Sequence, residues 1–351
     1  MKYQLKTFKI GITPADTLFF RNGTPFGMGE ETWTDSGLLP NPSVLWGALF
    51  TQMLQTGLVS KTDVDALSIK QYFFCELNPN NSNGIPEALR MYFPTPLDIF
   101  KRGRNTYSEQ HLLMEKERVV SSIDQGVSSL LLPNVESEKI DSLENTWIEA
   151  NSLMNQYPLR STRYTISRGD SFAVPSPKIG IGREAETMNV KEGHLYRIEM
   201  SELRREYLIG LEIEAPEHFQ PSGLIRLGGE GKTASIRPIQ FQNHQDVTST
   251  SSTHFKLYIQ SPAFFENGNG VQELSIVQGA ELISASIGKP MFIGGFDMDM
   301  ICPKPMRKAV PPGSVYYFKG TDISEFRNQL ASLFDRTDTR KGFNTFRLIQ
   351  C

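Results

Sequence analysis

The sequence is short of cysteine, of net charge and of long apolar runs, and each shortage closes off a class of protein. Its three cysteines, Cys75, Cys302 and Cys351, are widely spaced with no CxxC pair, so neither a zinc ribbon nor a dithiol redox centre has its ligands. A reducing compartment fits that usage. Lys and Arg total 36 against 39 Asp and Glu, a formal charge of −3, which excludes wholesale polyanion binding and confines any nucleic-acid contact to a local basic track. No apolar run approaches the roughly 18 residues of a membrane span, and residues 1–12 carry Lys2, Lys6 and Lys9 but no signal-peptide core. The expectation is a cytoplasmic protein that meets no membrane. The histidines, His111, His194, His218, His244 and His254, have neither HxxxH nor HExxH spacing, and no GxSxG elbow exists. The expected set of catalytic residues, metals and cofactors is therefore empty.

What the chain does have is enough material for a folded core. At roughly 150 residues per domain, 351 residues suggest two domains, and 39% apolar against 21% charged residues describes a globular chain. Alternation from Tyr3 to Ile12, with one slip, predicts a strand with a bulge. Asn41-Pro42 and Gly57 bracket an apolar helical face, Val44, Leu45, Ala48, Leu49, Met53 and Leu54. Strands are expected at Tyr72–Leu77, His194–Met200 and Tyr207–Ile213, and a charged helix near Glu109–Val119. The stretch Glu136–Glu149 holds five acids against Lys139 and reads as a solvated helix face or an excursion.

The Ser/Thr run Thr248–Thr253 is the linker candidate, dividing the chain into 1–247 and 253–351. A weak repeat of order crosses it. Lys178–Gly182, strands and the glycine turn at Arg226–Thr233 answer to Lys289–Phe296, a strand at Gly313–Phe318, a helix from the capping box Asp322–Glu325 with Ile323, Phe326, Leu330 and Phe334 on one face, a turn at Lys341–Asn344 and a strand at Thr345–Ile349. Strand, strand, helix, glycine turn, strand is the back half of a βαββαβ unit. The expected fold is α+β, two tandem ferredoxin-like domains, with residues 58–175 as a large insertion in the first.

Gly228-Gly229-Glu230-Gly231-Lys232-Thr233 invites a P-loop reading and fails it, because the position five residues before Gly231 is Arg226 and not Gly. Its glycines still offer N–H groups unobstructed by side chains, a seat for a nucleic-acid phosphate; a plain tight turn is the alternative. Around it runs a basic track: Arg160, Arg163, Arg168, Lys178, Arg183, Arg197, Arg226 and Lys232, and in the second half Lys304, Arg307 and Lys308. Tyr164, Phe172 and Tyr196 are interleaved, as stacking of unpaired bases would need. Ordinary surface charge is the competing explanation. His194, beside Tyr196 and Lys191, is the one residue placed to act as base in a metal-independent endoribonuclease.

Several stretches resemble a known family. Asp16–Arg21 with Pro25-Phe26, Pro40–Leu49, Tyr92–Asp98, Lys178–Arg183, His194–Met200, Arg226–Lys232, Ile293–Asp297, Pro303–Pro305 and Ala309–Tyr316 are similar in order and spacing to the RAMP subunit that caps the crRNA 5′ tag in type III-B CRISPR (Cmr) effector complexes. Phe296 stands where that family often has Trp, and Gly342-Phe343-Asn344 replaces Gly-Phe-Gly, a turn that Asn still permits. The resemblance implies a non-catalytic subunit in antiviral defence whose partners are the crRNA tag, a large polymerase/cyclase-like subunit and the guide-carrying backbone subunit. The residues expected at RNA are Arg21, Arg168, Lys178, Arg183, Arg197, Arg226, Gly228, Gly229, Gly231, Lys232, Lys304 and Arg307.

Overall fold

The computed structural model describes residues 3–20, 33–34, 38–79, 85–102, 106–109, 112–115, 129–132, 140–141, 143–160, 163–184, 187, 189–242, 253–297, 300–320 and 323–350. In chain order the strands of the first half are β1 (Leu5–Pro14), β2 (Trp33–Thr34), β3 (Ser68–Leu77), β4 (Ala88–Pro94), β5 (Ile99–Arg102), β6 (Thr106–Glu109), β7 (Leu112–Glu115), β8 (Ser129–Leu132), β9 (Ile140–Asp141), β10 (Thr146–Glu149), β11 (Ile166–Arg168), β12 (Ala173–Arg183), β13 (Val190–Leu203), β14 (Tyr207–Pro216), β15 (Gly223–Arg226) and β16 (Thr233–Pro238). The second half adds β17 (His254–Ile259), β18 (Ala280–Ser286), β19 (Met291–Asp297), β20 (Cys302–Ala309), β21 (Val315–Gly320) and β22 (Phe346–Gln350). The helices are α1 (Pro42–Gln55), α2 (Val271–Ser275), α3 (Ile323–Leu333) and α4 (Arg336–Arg340). The protein is a sheet-rich mixture of α and β structure.

Eight strands form one sheet in the order β11-β10-β4-β3-β14-β1-β16-β15, and four form another in the order β18-β21-β17-β22. One local order recurs in both. The first strand of each half, β1 or β17, lies between the third, β14 or β21, and the last, β16 or β22. The second strand, β3 or β18, lies beyond the third, and a helix, α1 or α2, joins first to second. Each half also inserts an antiparallel hairpin just before its third strand, β12–β13 in one and β19–β20 in the other. The halves differ before the last strand, where the second has α3 and α4 and the first has only a short turn and β15.

Local sequence explains the best-formed elements. Asn41 takes extended geometry at the N-cap of α1 with Pro42 behind it, and its side chain makes no capping bond. Leu45, Leu49 and Met53 are fully buried, in one cluster with Ile10, Ile12, Leu211 and Ile213 of the sheet; each such side chain contributes about 1.5–3 kcal/mol of transfer free energy. Gly57, at φ 71°, follows the helix. The slip in β1 is not a bulge, since its register with β14 runs unbroken from Leu5↔Pro216 to Ile12↔Ile209. The slip falls at Lys6 and Thr7, which are both exposed, whereas Ile10, Gly11 and Ile12 are all buried; a Cβ on Gly11 would lie 2.7 Å from Ile239 and 2.9 Å from Leu208.

Three expectations need correction. Leu112–Glu115 is a strand paired with Ser129–Leu132, not part of a charged helix; a non-local partner overrides the local helical pattern, and residues 116–128 lie outside the described residues. Thr146–Glu149, the end of the acidic stretch, is β10, an inner strand of the large sheet between β4 and β11. The span 58–175 contains β3, β4, β10 and β11, all members of that sheet, so it is not wholly an excursion. Asp322, the expected cap of α3, lies outside the described residues, while Phe326 and Leu330 of that helix are buried as its periodicity predicts.

The second face of the large sheet joins the two halves. Phe73, Cys75, Phe93 and Ile148 share a core cluster with Tyr258, Val315 and Ile349. Within this joint Asp98 is fully buried and Lys256 is 3% exposed. Asp98 accepts hydrogen bonds from Lys256 Nζ at 2.9 Å, from Tyr157 Oη at 2.7 and 2.6 Å, and from Tyr317 Oη. Lys256 Nζ also lies 4.0 Å from the centre of the Tyr157 ring. Among the described residues no helix is long and apolar enough to cross a membrane.

Candidate nucleic-acid interface

The glycine turn lies between β15 and β16 at an edge of the large sheet. Leu227 N–H donates to Lys232 O at 2.9 Å and Lys232 N–H to Gly229 O at 3.3 Å. Gly228, Glu230 and Gly231 take φ of 83°, 57° and 65°, the left-handed region that glycine enters without steric cost. The turn is laid flat on the segment that follows β1: Gly229 N–H donates to Phe19 O at 2.9 Å, and a Cβ on Gly228 would stand 2.6 Å from that same oxygen. Among the described residues the N–H groups of Gly228, Glu230 and Gly231 have no backbone acceptor, and all three residues are exposed. Main-chain N–H groups without a main-chain acceptor in an exposed turn are donors of the kind that can hold an anion.

Charge at the turn is balanced more closely than the sequence suggests. Lys232 is 17% exposed, and its ammonium donates to Asp16 Oδ2 at 2.5 Å and to Thr17 Oγ1 at 2.9 Å. That hydrogen bond from Lys232 holds the Asp16 carboxyl below the usual carboxylate range. Lys178, on β12, reaches Glu230 Oε2 at 3.3 Å. Thr17 Oγ1 in turn contacts Met200 Sδ at 3.2 Å, Leu18 bridges to Ser201, and Phe19 packs with Ile198 and Met200. Three elements therefore meet here: residues 16–20, the β12–β13 hairpin and the glycine turn. Arg226 closes β15 beside them, with an exposed side chain.

Other expected residues fall elsewhere. Arg168 is on β11, at the opposite edge of the sheet order, 80% exposed and 3.5 Å from Asp170. Arg183 and Arg197 lie on the hairpin, with Arg197 opposite Ile179 in its register and Arg183 opposite Val190; their side chains, like those of His194 and Tyr196, lie outside the described ones, as does Arg21 altogether. Lys304 and Arg307 belong to β20, on the hairpin of the second half. Arg307 sits 3.7 Å over the Phe264 ring and bonds Asp338 Oδ2 at 2.7 Å.

Two aromatics expected to stack bases are core residues instead. Phe172 is fully buried and stacks on Phe74 with ring centres 4.6 Å apart, and Tyr164 is 7% exposed within the second core cluster. Their faces are spent on the protein interior. The turn at Gly342–Asn344 is also turned inward. Asn344, at φ 58°, is 3% exposed, its N–H donates to Pro262 O at 3.1 Å and its Oδ1 accepts from Phe264 N–H at 2.8 Å. A Cβ on Gly342 would lie 2.9 Å from Ile69 of the other half.

Asp16, Thr17, Phe19 and Glu230 escaped the search for site residues. A signal for the first three was available: Pro14-Ala15-Asp16-Thr17-Leu18-Phe19-Phe20 after β1 parallels Pro262-Ala263-Phe264-Phe265 after β17. The structure uses both alike. Leu18 bridges to Ser201, within β13, and Ala263 to Val310, the residue after β20. Cys75 is buried, which pushes its thiol up, and among the described residues no three His, Cys, Asp or Glu side chains cluster as metal ligands.

A family model described as CRISPR-associated protein (Cas_Cmr3) matches residues 10–350. No curated protein matches the sequence. Solved chains that share the fold include two from one assembly. One, from the structure of the type III-B Cmr-beta bound to cognate target RNA, has a TM-score of 0.52 at 16% identity, with 96% of each chain covered. The other, from the same assembly bound to cognate target RNA and AMPPnP, has a TM-score of 0.51 at 16% identity, covering 96% of this chain and 95% of that one.

Proposed function

The chain belongs to the Cmr3 family of CRISPR-associated proteins, and from that premise we propose that it binds and caps the 5′ tag of crRNA in a type III-B Cmr effector complex, as a non-catalytic subunit. The carrying observation is the exposed turn at Gly228–Gly231, with three N–H groups that have no main-chain acceptor and with Lys178, Arg226 and Lys232 around it. Unpaired RNA is recognised by phosphate contacts and splayed bases more than by a duplex groove, and a flat turn of N–H donors flanked by cations suits a bent phosphate backbone. The near-neutral total charge fits a subunit whose remaining surface meets proteins. Those partners are the large polymerase/cyclase-like subunit and the guide-carrying backbone subunit, in the cytoplasm.

The recurring strand order in the two halves supports two tandem ferredoxin-like domains, 1–247 and 253–351, with the inserted span beginning after β3. Arg226→Ala is the cleanest test of the site, since Lys232→Ala also removes the contacts to Asp16 and Thr17. In the assembled complex it weakens tag binding and lowers the salt slope by about 0.7, the value for one phosphate contact on a single strand. Unchanged affinity in Arg226→Ala, and again in the Arg226→Ala/Lys232→Ala double variant, removes this site. Repeat RNA stays intact in EDTA on this reading; specific cleavage that His194→Ala abolishes would make the protein a metal-independent endoribonuclease instead.

A further inference from the structure

Both lysines beside the glycine turn are answered by carboxylates that the turn does not need for closure. Main-chain bonds from Leu227 to Lys232 and from Gly229 to Phe19 already fix it, and Thr17 Oγ1 holds Lys232 independently of Asp16. Asp16 is 67% and Glu230 37% exposed, so each carboxylate can swing into water at little cost. Exposed pairs of this kind add little to the stability of a fold. Glu230 moreover holds φ 57° in a turn otherwise made of glycine, a conformation that a residue with a Cβ adopts less readily than glycine. A strained acidic residue beside an anion seat points to a role for its charge.

We propose that Asp16 and Glu230 are surrogate anions: in the free chain they occupy the places at Lys232 and Lys178 that two phosphates of a single-stranded RNA take, and so set the selectivity of the turn. This rests on the RNA-binding reading above. A strand shaped to bring phosphates to both lysines and to the N–H donors together displaces both carboxylates. An arbitrary polyanion reaching one lysine gains one contact and stays close to the other carboxylate, which repels it. Thr17 keeps Lys232 in position once Asp16 has moved away.

The test compares the full-length chain with Asp16→Asn, Glu230→Gln and Glu230→Lys variants. Fluorescence anisotropy at several salt concentrations measures binding of 5′-tagged crRNA and of oligo(U) of equal length. Thermal unfolding confirms that each variant is folded. Wild type prefers the tagged RNA. Each amide variant tightens oligo(U) by about 2–5-fold near 0.1 M salt, the scale of one exposed ion pair, and steepens its salt slope by about 0.7. Tagged RNA gains less, so discrimination narrows, and Glu230→Lys moves further the same way. Wild-type binding that is unchanged or weakened for both RNAs in the folded variants overturns the inference alone, and assigns Asp16 to positioning Lys232. Failure of every form to bind either RNA overturns the RNA-binding reading and the inference with it.

Discussion

Asp98 and Lys256, 158 residues apart in sequence, form a buried ion pair at 2.9 Å that ties the first half of the chain to the first strand of the second. The carboxylate is satisfied by two tyrosine hydroxyls as well as the ammonium, the condition under which a buried pair is tolerated. Removing one partner leaves the other buried without its counter-ion. Asp98→Asn and Lys256→Met are each expected to cost about 3–5 kcal/mol. Urea unfolding of both single variants and the double variant checks this, and the double falls short of the sum because the two share one interaction.

The glycines of the two turns separate by consequence. Gly231→Ala meets open space at φ 65° and is expected to lose about 1–2 kcal/mol to backbone strain alone. Gly228→Ala adds a backbone collision with Phe19 O, so it lowers the melting temperature further and weakens RNA binding by displacing the turn. Gly342→Ala collides with Ile69 and lowers the melting temperature while leaving RNA affinity in place. Thermal unfolding and anisotropy on the three variants distinguish them.

The Asp16–Lys232 pair carries a pH signature of definite sign. Its carboxyl is held below the ordinary value, chiefly by the hydrogen bond from Lys232. The stability it adds is therefore present above the unfolded value near 4 and is lost as pH falls through the lower folded value. The difference in urea midpoint between wild type and Asp16→Asn stays constant from pH 5 to 8 and shrinks only below about pH 4. A difference that already narrows between pH 8 and 5 would point to another group.

Punctuated, locally periodic elements were legible in the sequence. Asn41-Pro42 and Gly57 marked α1 to within two residues at either end, and the apolar spacing of Ile323, Phe326 and Leu330 marked α3. Pairings were not. β10 reads as an acidic excursion because its neighbours, β4 and β11, are supplied from elsewhere in the chain. Phe172 among arginines looks the same whether it stacks a base or Phe74, since burial is decided by residues about 100 positions away. The glycine turn and its cations were visible in sequence, but their acidic partners were not: Asp16 lies 216 residues from Lys232.

The placement of β1 between β14 and β16 also bears on how the protein is made. Its first strand leaves the ribosome with no hydrogen-bonding neighbour, because Leu5 pairs with Pro216 and Pro14 with Ala234. At about 5–20 residues per second, the wait for those partners is about 10–40 s. Throughout that interval an unpaired apolar edge, Ile10 and Ile12 included, is open to aggregation and to chaperones. Slow synthesis or overexpression is therefore most hazardous to this subunit before residue 216 emerges, and α1, which follows β1 in the chain and packs in the same cluster as Ile10 and Ile12, can cover their apolar face in the meantime.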